Sequence, residues 1–305
     1  MLTANPGSTA TEARWAVADE IITPCCRMRR PQRRYAAAVG LTGSERHGRL
    51  LDRIARTTVA AWGRYASRVG GRVVIDAGLT LVVGTHPTPI IINTVFRTDP
   101  SVAPTTLFAR SRAFYAAIGH RFTLLTSDHV DADLNSAAEA NGWSMVAKLP
   151  AMVCRSALPD RPIPAGTVIR RADPRADIEA LRAVVREGFA SDADEAAAVD
   201  AVFSSPAALD MPDTVAVIAA IEGRDAAAAM VNVIDGTGYV GWVATLPDFR
   251  RRGLGELVSR ATTNAAFELG ADIVVLEASS MGLPLYSKVG YESVGIDRIW
   301  LPPSD

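Results

Sequence analysis

The sequence is short of everything that staples, anchors or metallates a chain. It holds three cysteines, Cys25, Cys26 and Cys154, and no C-x-x-C. Three thiols build no disulfide framework, and two adjacent ones lack zinc-ligand spacing. Its four histidines, His47, His86, His120 and His129, all lie in the first half and none stands in H-E-x-x-H spacing, so no metal is expected. No apolar run approaches the ~20 residues of a membrane span, and no apolar segment follows an early positive charge as in a signal peptide. Charge of neither sign dominates: 32 Lys+Arg against 33 Asp+Glu leave a net charge of -1. That balance excludes the global basic bias of a general nucleic-acid binder. A soluble, cytoplasmic protein with reduced thiols is expected.

Hydrophobic residues make up 49% of the 305, enough for real cores. At roughly 100–200 residues per domain the length suggests two domains. Residues 1–40 are irregular, and Arg27, Arg29, Arg30, Arg33 and Arg34 read as a solvated lead-in that could meet a phosphate or an acidic partner. A helix is expected from near Ser44, with Leu51, Ile54, Ala55, Thr58, Trp62 and Tyr65 on one face, until Gly70-Gly71 end it. Strands are expected over 72–75, 79–83 and 90–96, then a helix over 105–118, a short strand over 122–125, a helix over 131–141 and an extended segment over 143–153. Pro159, Pro162, Pro164 and Gly166 mark a linker, dividing the chain into 1–160 and 161–305. The second unit repeats the grammar. A strand at 168–171 and helices at 177–189 and 194–203 precede strands at 214–221, 226–234 and 239–245, with Glu222-Gly223 and Asp235-Gly236 as hairpin turns. A helix over 253–269, a strand over 273–276, a helix over 283–289 and one or two strands over 291–301 complete it. Both halves end helix, short strand, helix, Gly-aromatic, extended segment, with Gly142-Trp143 matching Gly290-Tyr291. This order reads as a divergent duplication.

The chemistry concentrates in Tyr239 to Glu256. An apolar strand stops at Pro247; Arg250, Arg251, Arg252, Gly253, Leu254 and Gly255 follow, and a helix begins. The first N–H groups of a helix have no internal acceptors and its dipole favours an anion there. Glycines let a phosphate approach the main chain, and arginines add charge around it. The G-x-G-x-x-G dinucleotide fingerprint and the G-K-Ser/Thr ending of the P-loop are both missing. The stretch therefore reads as another kind of pyrophosphate cradle.

Arg250-Arg251-Arg252-Gly253-Leu254-Gly255 resembles the acetyl-CoA motif of the GCN5-related N-acetyltransferase superfamily: Gln or Arg, two residues, Gly, one residue, Gly or Ala. The resemblance implies two α/β units, each a mixed, mostly antiparallel sheet flanked by helices. It implies that the main chain of Val243, Ala244 and Thr245 holds the pantetheine arm of acetyl-CoA or another short acyl-CoA, and that amides from Arg251 to Glu256 hold the pyrophosphate. A second stretch, Glu277 to Glu292, is similar to the family's helix with a Tyr followed by Gly and an aromatic: Tyr286, Gly290, Tyr291. By that resemblance Tyr286 is the general acid. The leaving thiolate belongs to a thiol of pKa about 8.5, and a phenol of pKa about 10 can supply its proton. Ser279 stands where many relatives have an Asn that contacts CoA.

In the first half Ala138 takes the place of Tyr286 and no R-x-x-G-x-G occurs; the loop 97–105 stands there instead. That half reads as degenerate, with a structural or substrate-shaping role. The implied activity is acetyl transfer to an amine by direct attack, with an oxyanion met by a strand amide near Val243. Candidate bases are Glu277, Glu187, Asp192, Asp194 and Glu195. The acceptor is a small molecule or a protein Lys or N-terminus. The rival reading from another class is a non-catalytic acyl-CoA-binding regulatory module, and a weaker one is nucleic-acid association through the 27–34 arginines, with steep salt dependence.

Overall fold

Thr42 starts the first helix, α1 (Gly43–Arg68), in a reciprocal cap: the Glu45 N–H donates to Thr42 Oγ1 (3.2 Å) and the Thr42 N–H to Glu45 Oε2 (2.7 Å). The computed structural model describes residues 42–303; Cys25, Cys26 and the 27–34 arginines lie outside them. Helix α1 buries Leu51, Ile54, Ala61 and Tyr65 on one side, with Leu51 and Ile54 worth about 1.5–3 kcal/mol each. Arginines at its margin hold it down. Arg53 Nε donates to Thr237 Oγ1 (2.6 Å) with Asp272 paired beside it, Arg64 pairs with Asp213, and Arg68 donates to Asn232 Oδ1 (2.8 Å).

The rest follows the expected grammar. Strands β1 (Arg72–Asp76), β2 (Leu79–Val83) and β3 (Thr94–Arg97) are followed by α2 (Pro104–Ala117), β4 (Thr123–Ser127), α3 (Ala132–Ala140) and β5 (Ser144–Cys154). The third expected strand is shortened. Residues 90–92 form a turn with Ile90 at φ +76°, closed by the Ile91 N–H on the Pro89 carbonyl (2.9 Å), so the chain joins the ladder only at Thr94. Then come β6 (Thr167–Arg171), α4 (Ile178–Phe189), α5 (Ala193–Val202), β7 (Thr214–Ile221), β8 (Arg224–Ile234), β9 (Thr237–Thr245), α6 (Leu254–Glu268), β10 (Ile273–Glu277), α7 (Leu283–Val289) and a single final strand, β11 (Glu292–Leu301). Both expected hairpins turn through two left-handed residues, Glu222-Gly223 (φ +55° and +78°) and Asp235-Gly236 (+47° and +78°), as the twist of paired strands requires.

The units do not keep separate sheets. One 11-stranded sheet runs β1-β2-β3-β4-β11-β5-β10-β9-β8-β7-β6. Two neighbour pairs are parallel, β3 with β4 and β9 with β10, one in each half. The order β3-α2-β4-α3-β5 repeats as β9-α6-β10-α7-β11, which supports the duplication at the level of topology. The halves have exchanged their last strands. β11 pairs with β4 (Asp297 opposite Ser127, Trp300 opposite Leu124), while β5 pairs with β10 (Cys154 opposite Val274). Side-chain alternation divides the N-terminal core: Val82, Phe96 and Leu125 pack in the cluster with α1, and Leu81, Val83, Val95 and Leu124 in the cluster with α2 and α3. Cys154 is buried among apolar neighbours and donates to the Ser156 carbonyl (3.2 Å).

Candidate functional site

β9 and β10 run together only from Ile273 opposite Thr237 to Val275 opposite Tyr239. Beyond that β9 stays on β8 as far as Thr245, while β10 follows β5 to Glu277. The strands therefore part, and a slot opens between residues 240–245 and 276–277. Within it β9 carries a bulge. The register against β8 shifts between Ala228 and Met230, and Trp242 lies at φ +56°. Such a bulge breaks the ladder and re-aims main-chain groups. Gly241, Trp242, Val243 and Thr245 are half-buried there, and Ala244 is buried.

From Thr245 the chain passes through a 3-10 turn (Pro247–Phe249) into the arginines. Arg251 (φ +64°) and Gly253 (φ +85°) are both left-handed, so the chain doubles back into the N-terminus of α6. Among the described residues no side chain caps that end, which leaves its first-turn N–H groups open to a ligand. A Cβ on Gly255 would come 3.1 Å from Leu285 Cδ1 and 3.3 Å from Thr245 Oγ1, so the helix start sits hard against the strand end. These residues fit a pyrophosphate: bare main chain, a helix dipole and cationic side chains.

The three arginines divide their labour. Arg250 Nε donates to the Thr245 carbonyl (3.2 Å), fixing the end of β9. Arg252 lies over the Phe249 ring (5.2 Å) and donates to Glu222 Oε1 (3.3 Å). Arg251 makes no hydrogen bond or ion pair among the described residues. Leu254 is buried in the core. Glu256, in the first turn, accepts from Arg260 Nε (3.0 Å) and Lys288 Nζ (2.7 Å), and the Lys288 ammonium holds its carboxyl below the usual range. Its side chain thereby ties α7 to the start of α6.

Ser279 Oγ accepts from the Gly282 N–H (3.1 Å) and so shapes the turn into α7. Tyr286, on α7, is 8% exposed, and its ring lies 5.9 Å from that of Tyr291. A Cβ on Gly282 would stand 2.7 Å from Tyr286 Cε2, so only glycine leaves room for this ring. Burial pushes the Tyr286 phenol up, and its hydroxyl has no protein partner among the described residues. Tyr291, by contrast, is bonded to Thr263 Oγ1 (2.7 Å) and is a packing residue.

The five candidate bases separate cleanly. Glu187 is exposed beside Arg224, Asp194 is exposed beside Arg121, Asp192 Oδ1 caps α5 at the Glu195 N–H (2.8 Å), and Glu195 Oε2 accepts from the Ser191 N–H (2.8 Å). Glu277 alone sits at the slot, half-buried at the end of β10. Thr58 Oγ1 donates to its Oε1 (2.5 Å) and the Tyr239 hydroxyl to its Oε2 (2.5 Å), with Trp62 Nε1 donating to the Tyr239 oxygen (3.2 Å). Burial raises the Glu277 carboxyl, and the two hydroxyl donors oppose that rise. Sequence reasoning missed Thr58, Trp62 and Tyr239 as partners of Glu277. Thr58 and Trp62 already stood on the apolar stripe of α1, but nothing local pairs positions 219 residues apart.

The corresponding slot of the first half is plugged. β3 and β4 last pair at Phe96 opposite Leu125, and the next residue is Arg97, whose side chain is 1% exposed. Its guanidinium donates to Asp131 Oδ1 (2.9 Å), both oxygens of Asp133 (2.9 and 2.6 Å) and the carbonyls of Val102 (3.3 Å) and Val130 (3.1 Å). The bonds span the gap from the β3–α2 loop to the β4–α3 loop. Helix α2 starts at Pro104 with no glycine pair. Beside the plug is a cavity of about 40 Å³ touched by Thr58, Ser127 and Asp297. Burial and the Glu277 charge push Asp297 up to about 8, from an ordinary value of 3.8. Above pH 3.8 the unfolded chain gives up this proton while the folded one keeps it, so stability falls as pH rises from about 4 to about 8. Asp297→Asn is expected to flatten that slope, measured as urea midpoints across the range.

Among the described residues no group of His, Cys, Asp and Glu is placed to hold a metal, and no helix is long and apolar enough to cross a membrane. His120 bonds the Ile118 carbonyl (2.9 Å) and His129 pairs with Asp52 (3.2 Å), both away from the slot.

A parallel pair that splays at a bulge beside an uncapped, glycine-opened helix, in a sheet that holds a second parallel pair in its other half, is the fold of the GCN5-related N-acetyltransferases. The family model described as FR47-like protein matches residues 219–301, the stretch from β7 to β11. A GCN5-related N-acetyltransferase from Kribbella flavida superposes with a TM-score of 0.64 at 23% identity, over 82% of this chain and 96% of its own. One from Sphaerobacter thermophilus gives 0.55 at 16% identity, over 75% and 79%. A tandem GNAT protein from the clavulanic acid biosynthesis pathway gives 0.52 at 16%, over 76% and 83%. These likenesses extend over most of the chain and therefore reach its first half as well. No curated protein matches the sequence.

Proposed function

We propose that this chain is an acyltransferase that moves the acetyl group of acetyl-CoA, or another short acyl group, onto an amine. The observation that carries the reading is the uncapped start of α6 at Gly253–Gly255, set against the end of the bulged strand β9. In this reading the pyrophosphate lies on the amides from Arg251 to Glu256 with Arg251 as its mobile cation, and the pantetheine follows the main chain of Val243 to Thr245. The amine attacks the thioester carbonyl directly, the oxyanion is met by an amide at the bulge near Val243, and the amine's proton goes to Glu277. The carbonyl re-forms, the C–S bond breaks, and the departing thiolate takes the Tyr286 proton. A phenol raised by burial stays protonated until that moment. Ser279 is a lesser contact, since its hydroxyl already serves the α7 turn. The acceptor is a small-molecule amine or a protein amine, and the setting is cytoplasmic.

The test is thiol release from acetyl-CoA against a panel of amines and Lys-bearing peptides. Turnover with any acceptor supports the transferase; tight binding without acceptor-dependent release would make the chain a regulatory acyl-CoA binder. Tyr286→Phe is expected to lower kcat about 100-fold, in line with the loss of a general acid. Calorimetric acetyl-CoA affinity and melting temperature should hardly change, because no group among the described residues is bonded to that hydroxyl. An unchanged kcat would remove Tyr286 from the mechanism.

A further inference from the structure

The transfer site as the fold defines it is built from 219–301, yet its carboxylate is held from outside that stretch. We propose that Thr58 of α1 is a positioning residue that fixes the Glu277 carboxylate at the slot between β9 and β10, making the helix that precedes both halves a working part of the transfer site. The inference rests on the acyltransferase reading above.

Three observations carry it. Thr58 is 2% exposed, and its hydroxyl reaches Glu277 Oε1 at 2.5 Å. The other oxygen is taken by Tyr239, whose own oxygen accepts from Trp62 of the same helix. Helix α1 thus holds one carboxylate oxygen directly and the other at one remove, fixing the plane of the carboxylate. Third, α1 is itself immobilised against the same strands by the Arg53 contacts to Thr237 and Asp272. Donors on both oxygens aim the carboxylate and favour its anion against the burial that disfavours it, and an aimed anion is what a base needs.

The ionisable groups facing Glu277 are Tyr239 from β9, Tyr65 from α1 and Asp297 from β11. Among the described residues no cation is one of them; Arg53 and Arg64 of α1 pair with Asp272 and Asp213. The two hydroxyls favour the charged form most, with the residue's own backbone N–H adding less. Removing one disfavours the anion, so the carboxylate must titrate at higher pH.

The experiment follows the Glu277 side-chain carbon by NMR across pH in the full chain, assigned by its loss in Glu277→Gln, in wild type, Thr58→Val, Thr58→Ser and Trp62→Phe. The acetyl-CoA and acceptor kinetics are run alongside. The Thr58→Val midpoint is expected to rise by about one unit, so the acidic limb of kcat/KM moves up and the rate below it falls about tenfold. KM for acetyl-CoA should stay as in wild type. Thr58→Ser should restore both, and Trp62→Phe should shift them less in the same direction. If Thr58→Val does not fold, Thr58→Ala and Trp62→Phe carry the comparison. An unmoved Glu277 midpoint in the folded variants, or a limb that Thr58→Ser fails to restore, overturns the proposal. No thiol release by wild type, with the midpoint still moved by Thr58→Val, would overturn Glu277 as the base of a transferase while leaving its dependence on Thr58 in place.

Discussion

Gly253→Asp/Gly255→Asp is expected to weaken acetyl-CoA binding by about 100-fold or more, read by calorimetry. Both carboxylates would face the site where the helix start takes a pyrophosphate, and like charges brought together without solvent cost several kcal/mol, at 1.4 kcal/mol per tenfold. The structure also supplies the control. Gly253 lies at φ +85°, where Asn is among the few side chains tolerated. A Cβ on Gly255 meets only the end of Leu285 and the Thr245 hydroxyl at 3.1 and 3.3 Å, contacts that a few tenths of an ångström relieve. Gly253→Asn/Gly255→Ala therefore carries most of the backbone strain and none of the charge. If the two double variants lose affinity equally, the effect is steric and the anion cradle is disproved.

The second large effect concerns the first half. Arg97→Met should lower stability by about 3–5 kcal/mol, the range for removing one member of a buried ion pair. At roughly 2–4 °C per kcal/mol for chains of this order, the melting temperature should drop by roughly 6–20 °C. The burden falls on Asp131, 5% exposed, which would keep only its bond from the Ser127 N–H (3.0 Å). Asp133→Asn should cost far less, because its side chain is 57% exposed and water replaces the lost partner. If Arg97→Met melts like wild type, the pairing does not bridge the slot in solution.

The sequence made the elements legible wherever local chemistry decides them. The two-residue turns at 222–223 and 235–236, the stripe of α1 and the break at Pro247 all sit where the residues demand. The R-x-x-G-x-G stretch opens a helix after a strand, and Gly142-Trp143 and Gly290-Tyr291 occupy matching places. The shortened β3 escaped notice because apolar Ile90 to Ile92 resemble a strand, and nothing in their side chains announces the left-handed turn at Ile90. What stayed hidden was remote. Arg97 reads as a surface arginine until Asp131 and Asp133 are brought to it, 34 and 36 residues on. Glu277 reads as one carboxylate among five until Thr58 and Tyr239 single it out. The strand order was hidden for a further reason: β11 has two apolar neighbours to choose between, and its own residues do not name either.

That exchange of final strands reaches into how the chain is made. As the polypeptide leaves the ribosome, β1 to β4 emerge together, but the outer side of β4 stays bare until residues 292–301 arrive to cover it. β5, meanwhile, is released early and waits for β10. The first half is thus held as an open sheet edge throughout synthesis of the second, the exposed state that invites mispairing or capture by a chaperone. A chain cut at residues 155–166 would yield two pieces, each missing a strand the other carries.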